Sequence, residues 1–320
     1  MQIKFNIIIL FILVLLSCDD DSKIEKEIAK IETDFTVERF DKAFFEALPE
    51  NLLELKSAYP FFFSKHIPDS IVINRMEDSL QNKLLNEVQQ TFPDFKTSKE
   101  ELEGLFKHLK YYDKTFKAPR VITLTNDVAY RDKIIVNDSL VLIALDNYLG
   151  AKHEFYQNIP MFIAANLNKN QIVSDVANGY AKKFIFQTHR KTLLDEMIYF
   201  GKLLYFKDIM IPFKTDAEKI GYSDVQIKWA EANESQIWSY FIEKELLYST
   251  DPKLPNRFIA DAPFSKFYLE LDNQSPGRLG QYMGWQIVRS YAEKTNEDLL
   301  TIMQTEPQDI FNKAKFKPKK

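Results

Sequence analysis

Four histidines, His66, His108, His153 and His189, are the first residues to test for chemistry, and none stands four positions from another. His153-Glu154 opens like a zinc-peptidase helix. That geometry needs two imidazoles on one helical face with the glutamate beside them as general base. The residue four after His153 is Gln157, so no zinc site is predicted and His153 reads as a surface or loop residue. No serine stands in a G-x-S-x-G elbow, although a triad assembled from distant residues stays open. The paired carboxylates Glu100-Glu101 and Asp195-Glu196 read as solvent-facing, and neither an EF-hand loop nor a glycine-rich nucleotide loop occurs. No catalytic residue, metal ligand or cofactor is assigned, and the chain is read as a non-enzyme.

The one thiol, Cys18, has a different chemistry open to it. Lys4 precedes an apolar run from Phe5 that closes on Leu15-Leu16-Ser17-Cys18. A basic start, about a dozen apolar residues and a small residue before the cut make a secretory signal. The run is shorter than the roughly 20 apolar residues of a bilayer span. It resembles the bacterial lipobox, which implies cleavage after Ser17, acylation of Cys18 (palmitate among the chains) and lasting membrane attachment, since two or more acyl chains anchor stably. With Cys18 capped, disulfides and cysteine metal sites are excluded. Asp19-Asp20-Asp21-Ser22 is a solvated spacer or, by resemblance to Bacteroidota lipoproteins, a surface-export signal.

The densest remaining pattern is Ser275 to Tyr291, which holds three of the eight glycines. Glycine inside a helix costs about 1 kcal/mol against alanine. Gly280 and Gly284 share one face, which points to close approach by another helix. Ser275 is read as the N-cap and Pro276 as the first helical residue. Arg278 in the first turn opposes the helix dipole, so it needs a carboxylate or carbonyl partner. Gly277, Arg278, Gly280, Tyr282, Gly284 and Trp285 are the candidate cleft or interface, with structural packing the competing reading.

The elements that must position these residues read as α+β, mostly helical, with a small sheet of about three strands packed among helices. Residues 1–17 are the lipoprotein signal, 18–33 the lipidated N-terminus and tether, and 34–320 one globular domain. Within it, 34–118 is helical, 119–150 the sheet and 151–320 helical again. Asp78–Thr91 is amphipathic through Leu80, Leu84, Leu85 and Val88, and Ser98 caps the next helix. Tyr59-Pro60-Phe61-Phe62-Phe63 forms an aromatic turn. Strand signals cover 121–125, 134–136 and 140–145, with Asn137-Asp138 as a hairpin turn. Strands and helices do not alternate, which disfavours a doubly wound parallel sheet. Helices follow over 171–186, 192–207, 226–247, 276–294 and 307–314.

Composition narrows the function classes. The 45% apolar and 28% charged residues fit a folded body. The net charge of −4 has no basic stripe, which argues against nucleic-acid binding. Lys313, Lys315, Lys317, Lys319 and Lys320 form a frayed basic tail.

The chain resembles the gliding-motility lipoprotein B family (GldB) of Bacteroidota. The resemblance rests on Cys18, on Phe35–Phe45 with Arg39-Phe40-Asp41, and on Leu145-Asp146-Asn147-Tyr148-Leu149-Gly150. It also rests on Asp195–Lys202, Pro276–Tyr291 and Phe311-Asn312-Lys313. It implies a lipid-anchored, non-catalytic envelope component of the gliding machinery, with other envelope proteins as partners and a link to type IX secretion. An envelope hydrolase, peptidase-like or glycan-active, and a cell-wall-binding lipoprotein are the alternatives. The order of elements also resembles zincin-type peptidases, with Val173–Ala181 in place of the H-E-x-x-H helix and Phe200-Gly201 in place of a Glu-Gly step; the scaffold would then be a metal-free zincin. Asp69-Ser70-Ile71, Asp78-Ser79-Leu80 and Asp138-Ser139-Leu140 resemble Bacteroidota O-glycosylation sites, which would put Ser70, Ser79 and Ser139 on the surface.

Overall fold

The computed structural model describes residues 23–269 and 272–319. Cys18 and the signal segment 1–17 lie outside the described residues. The fold is mostly helical α+β with one small mixed sheet. Its strands are β1 (Val37–Arg39), β2 (Arg120–Leu124), β3 (Ile134–Val136) and β4 (Leu140–Ala144), in the order β1-β2-β4-β3. The β3–β4 hairpin is antiparallel and turns through Asn137, whose N–H donates to the Leu140 carbonyl. The sheet is larger than about three strands, because β1 is a three-residue strand that composition does not reveal. It also pairs β1 with β2 and β2 with β4 in parallel. The β1–β2 crossover carries five helices: α1 (Phe40–Glu46), α2 (Leu52–Ala58), α3 (Asp69–Glu77), α4 (Ser79–Thr91) and α5 (Lys96–Tyr112). Burial of Val121, Ile122 and Thr123 in succession fits a strand covered on both faces.

The second half adds α6 (Met161–Ala164), α7 (Ile172–Phe184), α8 (Leu193–Met210), α9 (Asp216–Ile220), α10 (Asp224–Ala232), α11 (Glu234–Glu243), α12 (Leu254–Phe258), α13 (Leu279–Thr295), α14 (Leu299–Gln304) and α15 (Pro307–Ala314). No described helix is long and apolar enough to cross a membrane. One apolar core gathers around α8 and α13. A second joins the sheet to α5, α7 and α8. A smaller third packs α1, α2 and α3 with the Tyr59–Phe63 turn, where Phe40 lies 4.5 Å from Phe62 and 4.9 Å from Tyr59 between ring centres.

Local chemistry fixes several boundaries. Thr192 and Asp195 close a reciprocal capping box at the start of α8, and Asp78 accepts from the Gln81 N–H to start α4. On α4, Leu84, Leu85 and Val88 are buried, whereas Leu80 faces solvent. Several readings of the sequence change. α5 begins at Lys96, so Ser98 is a buried residue inside it rather than its cap. The expected 226–247 helix is two helices, because Asn233 interrupts it and its side-chain amide takes the Trp229 carbonyl at 2.8 Å. Ser275 does not cap α13, which starts at Leu279. Its hydroxyl donates to the Ser265 and Asp272 carbonyls, and Ser265 Oγ caps instead, accepting from the Leu279 N–H. The basic tail is not wholly frayed, since the Lys319 N–H donates to buried Glu234 at 2.8 Å.

α8 and α13 cross with their backbones in contact. A Cβ built on Gly284 would lie 1.8 Å from the Met197 carbonyl oxygen, and one on Gly201 would lie 2.3 Å from the Gly284 oxygen. A side chain there meets rigid backbone, so Gly284→Ala should cost about 3 kcal/mol or more, the upper end of overpacking. Gly104→Ala would meet only the Phe213 ring, 2.9 Å away on a half-exposed side chain that can swing aside, and should cost far less. Urea denaturation of both variants checks this; equal losses would contradict the crossing as described.

Candidate functional site

Three charged clusters sit at the joints of the fold. Arg289 on α13 donates Nε and Nη2 to Asp208 at 2.7 Å each, and Nη1 and Nη2 to Asp216 at 2.8 and 2.9 Å. Trp285 donates its indole N–H to Asp208 at 2.7 Å and lies under the guanidinium, 3.7 Å from ring centre to Cζ. Lys219 completes the cluster at 3.0 Å from Asp208. Burial alone would raise the Asp216 carboxyl, but the hydrogen bonds and charge of Arg289 outweigh it and hold it below the usual range. The second cluster is Asp41, buried at the head of α1. It accepts from Arg39, Gln89 and the Thr123 hydroxyl, and so ties β1, α4 and β2 together. The third is Asp146, whose carboxylate takes the backbone N–H groups of Asn126 and Val128. Burial pushes its carboxyl up to about 6 despite those bonds.

Between α7, α8 and the loop at Gly221 lies a cavity of about 530 Å³. α7 supplies Asp175 and Asn178 to its wall, and α8 supplies Phe200, Leu203, Leu204 and Lys207. Asp175 accepts from the buried Tyr148 hydroxyl at 2.9 Å and pairs with Lys133 at 2.6 Å. Lys207 is buried and donates to Ser174 Oγ at 3.0 Å and to the Lys219 carbonyl at 2.8 Å. Burial brings its ammonium down to about 8. Gly221 ends α9 in the left-handed conformation (φ 72°) that favours glycine, and its carbonyl accepts from both Asn166 and Arg278.

Of the six residues read as a cleft or interface, Arg278 alone lines this cavity. Its partners are a carbonyl, that of Gly221 at 2.9 Å, and a carboxylate, Asp261 at 3.5 Å. Its backbone is left-handed (φ 61°), a conformation costly for a residue with a Cβ. Gly277, Gly280 and Gly284 are backbone contact points: their Cβ positions would meet the Ala262, Phe258 and Met197 carbonyl oxygens. Tyr282 and Trp285 are buried, with the Tyr282 hydroxyl donating to Glu234 at 2.9 Å. Sequence reasoning missed Lys207, Lys133 and Asp175. The available signal was a lysine inside the apolar run of α8.

Val173–Ala181, Phe200-Gly201 and the Arg278 loop, three segments singled out in the sequence, meet around this cavity. Among the described residues no group of three or more His, Cys, Asp or Glu side chains is placed to hold a metal ion. His153 caps a short 3₁₀ turn and lies 3.2 Å from Glu87. Ser70, Ser79 and Ser139 are exposed.

A model of known families, that of the gliding motility protein GldB, matches residues 21–318. No curated protein and no solved structure matches the chain.

Lys207, and Lys202 with its single bond to the Thr305 carbonyl, are both brought down by burial to about 8, against 10.5 for a free lysine. The unfolded chain therefore holds more protons between pH 8 and 10.5, and stability should rise with pH through that window. The gain is on the order of 1–3 kcal/mol per lysine. Above pH 10, buried Tyr148 and Tyr222, both raised chiefly by burial, reverse the trend. Urea midpoints measured from pH 7 to 10 should climb in the native chain and climb less in Lys207→Met; a flat profile would contradict the assignment.

Proposed function

The chain belongs to the gliding motility protein GldB family, and from that membership we propose that it is a lipid-anchored, non-catalytic component of the envelope machinery for gliding, linked to type IX secretion. The anchor is Cys18, reached through the signal that ends at Ser17. Attachment by lipid is consistent with a described body in which no helix can span a bilayer. The partners are other envelope proteins of the machinery.

The observation that carries the non-catalytic reading is the Arg289 cluster. Its guanidinium spends four hydrogen bonds on Asp208 and Asp216, both side chains of its own body. Asp41 and Asp146 are likewise occupied by internal donors. Charged groups saturated in this way hold helices and strands at fixed angles. A general base, by contrast, must present a free lone pair to substrate. These three clusters therefore support a rigid surface offered to partners.

The test is Cys18→Ala in the native host. The expected outcome is a folded polypeptide shifted from the membrane to the aqueous fraction, with loss of colony spreading. A variant that stays in the membrane fraction, or cells that glide normally with a soluble protein, would overturn the anchored reading.

A further inference from the structure

We propose that the cavity between α7, α8 and the Gly221 loop binds a small organic anion, a carboxylate or phosphate monoester carried on an apolar body. The inference stands on the cavity alone, so its failure leaves the gliding assignment untouched. The cations at the wall are Arg131, Lys133, Lys207, Lys219 and Arg278, against the carboxylates Asp175 and Asp261. Three of the five are answered. Lys133 pairs with Asp175, Arg278 faces Asp261, and Lys219 belongs to the Asp208–Asp216 cluster.

Two cations make no ion pair, although the Asp175 carboxylate, itself paired with Lys133, acts on Lys207 through space. Lys207 donates only to uncharged oxygens, Ser174 Oγ and the Lys219 carbonyl. Among the described residues no carboxylate lies within ion-pair distance of it or of Arg131, which stands exposed at the rim over the Tyr130 ring. A buried ammonium is costly to keep charged without a counter-ion. A ligand that brings the counter-ion therefore binds with a charge-assisted hydrogen bond to the third Lys207 proton. The rest of the wall suits an apolar body: Phe162, Phe200, Leu203, Leu204 and Ile220 line it. A volume of about 530 Å³ lies inside the range of small-molecule sites, roughly 300–1,000 Å³. The left-handed backbone of Arg278 is held in place by contacts that aim it along the same wall.

The experiment is calorimetric titration of the whole protein at pH 8 with phenyl phosphate, hexanoate, inorganic phosphate and, as an uncharged control, benzyl alcohol. Phenyl phosphate or hexanoate should bind, more tightly than inorganic phosphate and than benzyl alcohol. Binding should take up protons, read from the heats in buffers of different ionisation enthalpy, because the anion holds the Lys207 proton that is half lost near pH 8. Lys207→Met should abolish the uptake and weaken binding about tenfold or more. Arg131→Gln at the exposed rim should weaken it by a smaller factor, and it decides the matter if Lys207→Met does not fold. Tighter binding of inorganic phosphate than of phenyl phosphate would overturn the apolar-body part. The proposal as a whole falls if neither organic anion binds at millimolar concentration, if benzyl alcohol binds equally, or if the folded variants bind as the native chain does.

Discussion

Two helices that touch backbone to backbone set the geometry of the larger half of this protein. At Gly201 and Gly284, α8 and α13 lack the side chains that would keep them apart, and the Met197 and Gly284 carbonyls fill the space. Interiors pack at crystal density, so a contact this tight tolerates no inserted methyl. Everything downstream on the two helices inherits the register. Asp208, two turns beyond Gly201, meets the Trp285 indole and the Arg289 guanidinium, which follow Gly284 on α13. Phe200, Leu203, Leu204 and Lys207 of α8 line the cavity.

The charged clusters work at a second level. A buried pair contributes little net stability against its desolvation, whereas removal of one partner is costly. Their effect is therefore on specificity of arrangement. The Arg289 cluster locks α9 to α8 and α13, and α9 ends at the Gly221 carbonyl that holds Arg278. Asp41 does the same for β1, which has only three residues of ladder to define its place on the sheet. Lys207 is the exception. It makes no ion pair, and it lines the cavity between α7, α8 and the Gly221 loop.

What could be read from the residues was whatever is settled locally. The Asn137-Asp138 hairpin, the Thr192 helix start and the helical pattern of α4 are decided within a few residues, and the structure carries them. The glycine spacing on α13 pointed to a close helix approach, which α8 supplies. Long-range contacts decided the rest. β1 is a strand because β2 lies beside it, and its own three residues carry no alternation. Leu279 is capped by Ser265, fourteen positions away, so the local Ser275-Pro276 signal misled. The cavity was invisible for the same reason: Lys133, Asp175, Lys207 and Arg278 come from four separate segments, and only the folded chain makes them neighbours.

Hydrogen exchange followed by mass spectrometry on the native protein tests the central claim, that the Gly201–Gly284 crossing is the element on which the surrounding order depends. Amides of α8 and α13 flanking the two glycines should exchange only through global unfolding, as slowly as any in the chain. Exchange of those amides by local opening, while the β2–β4 pair and α5 stay protected, would contradict it.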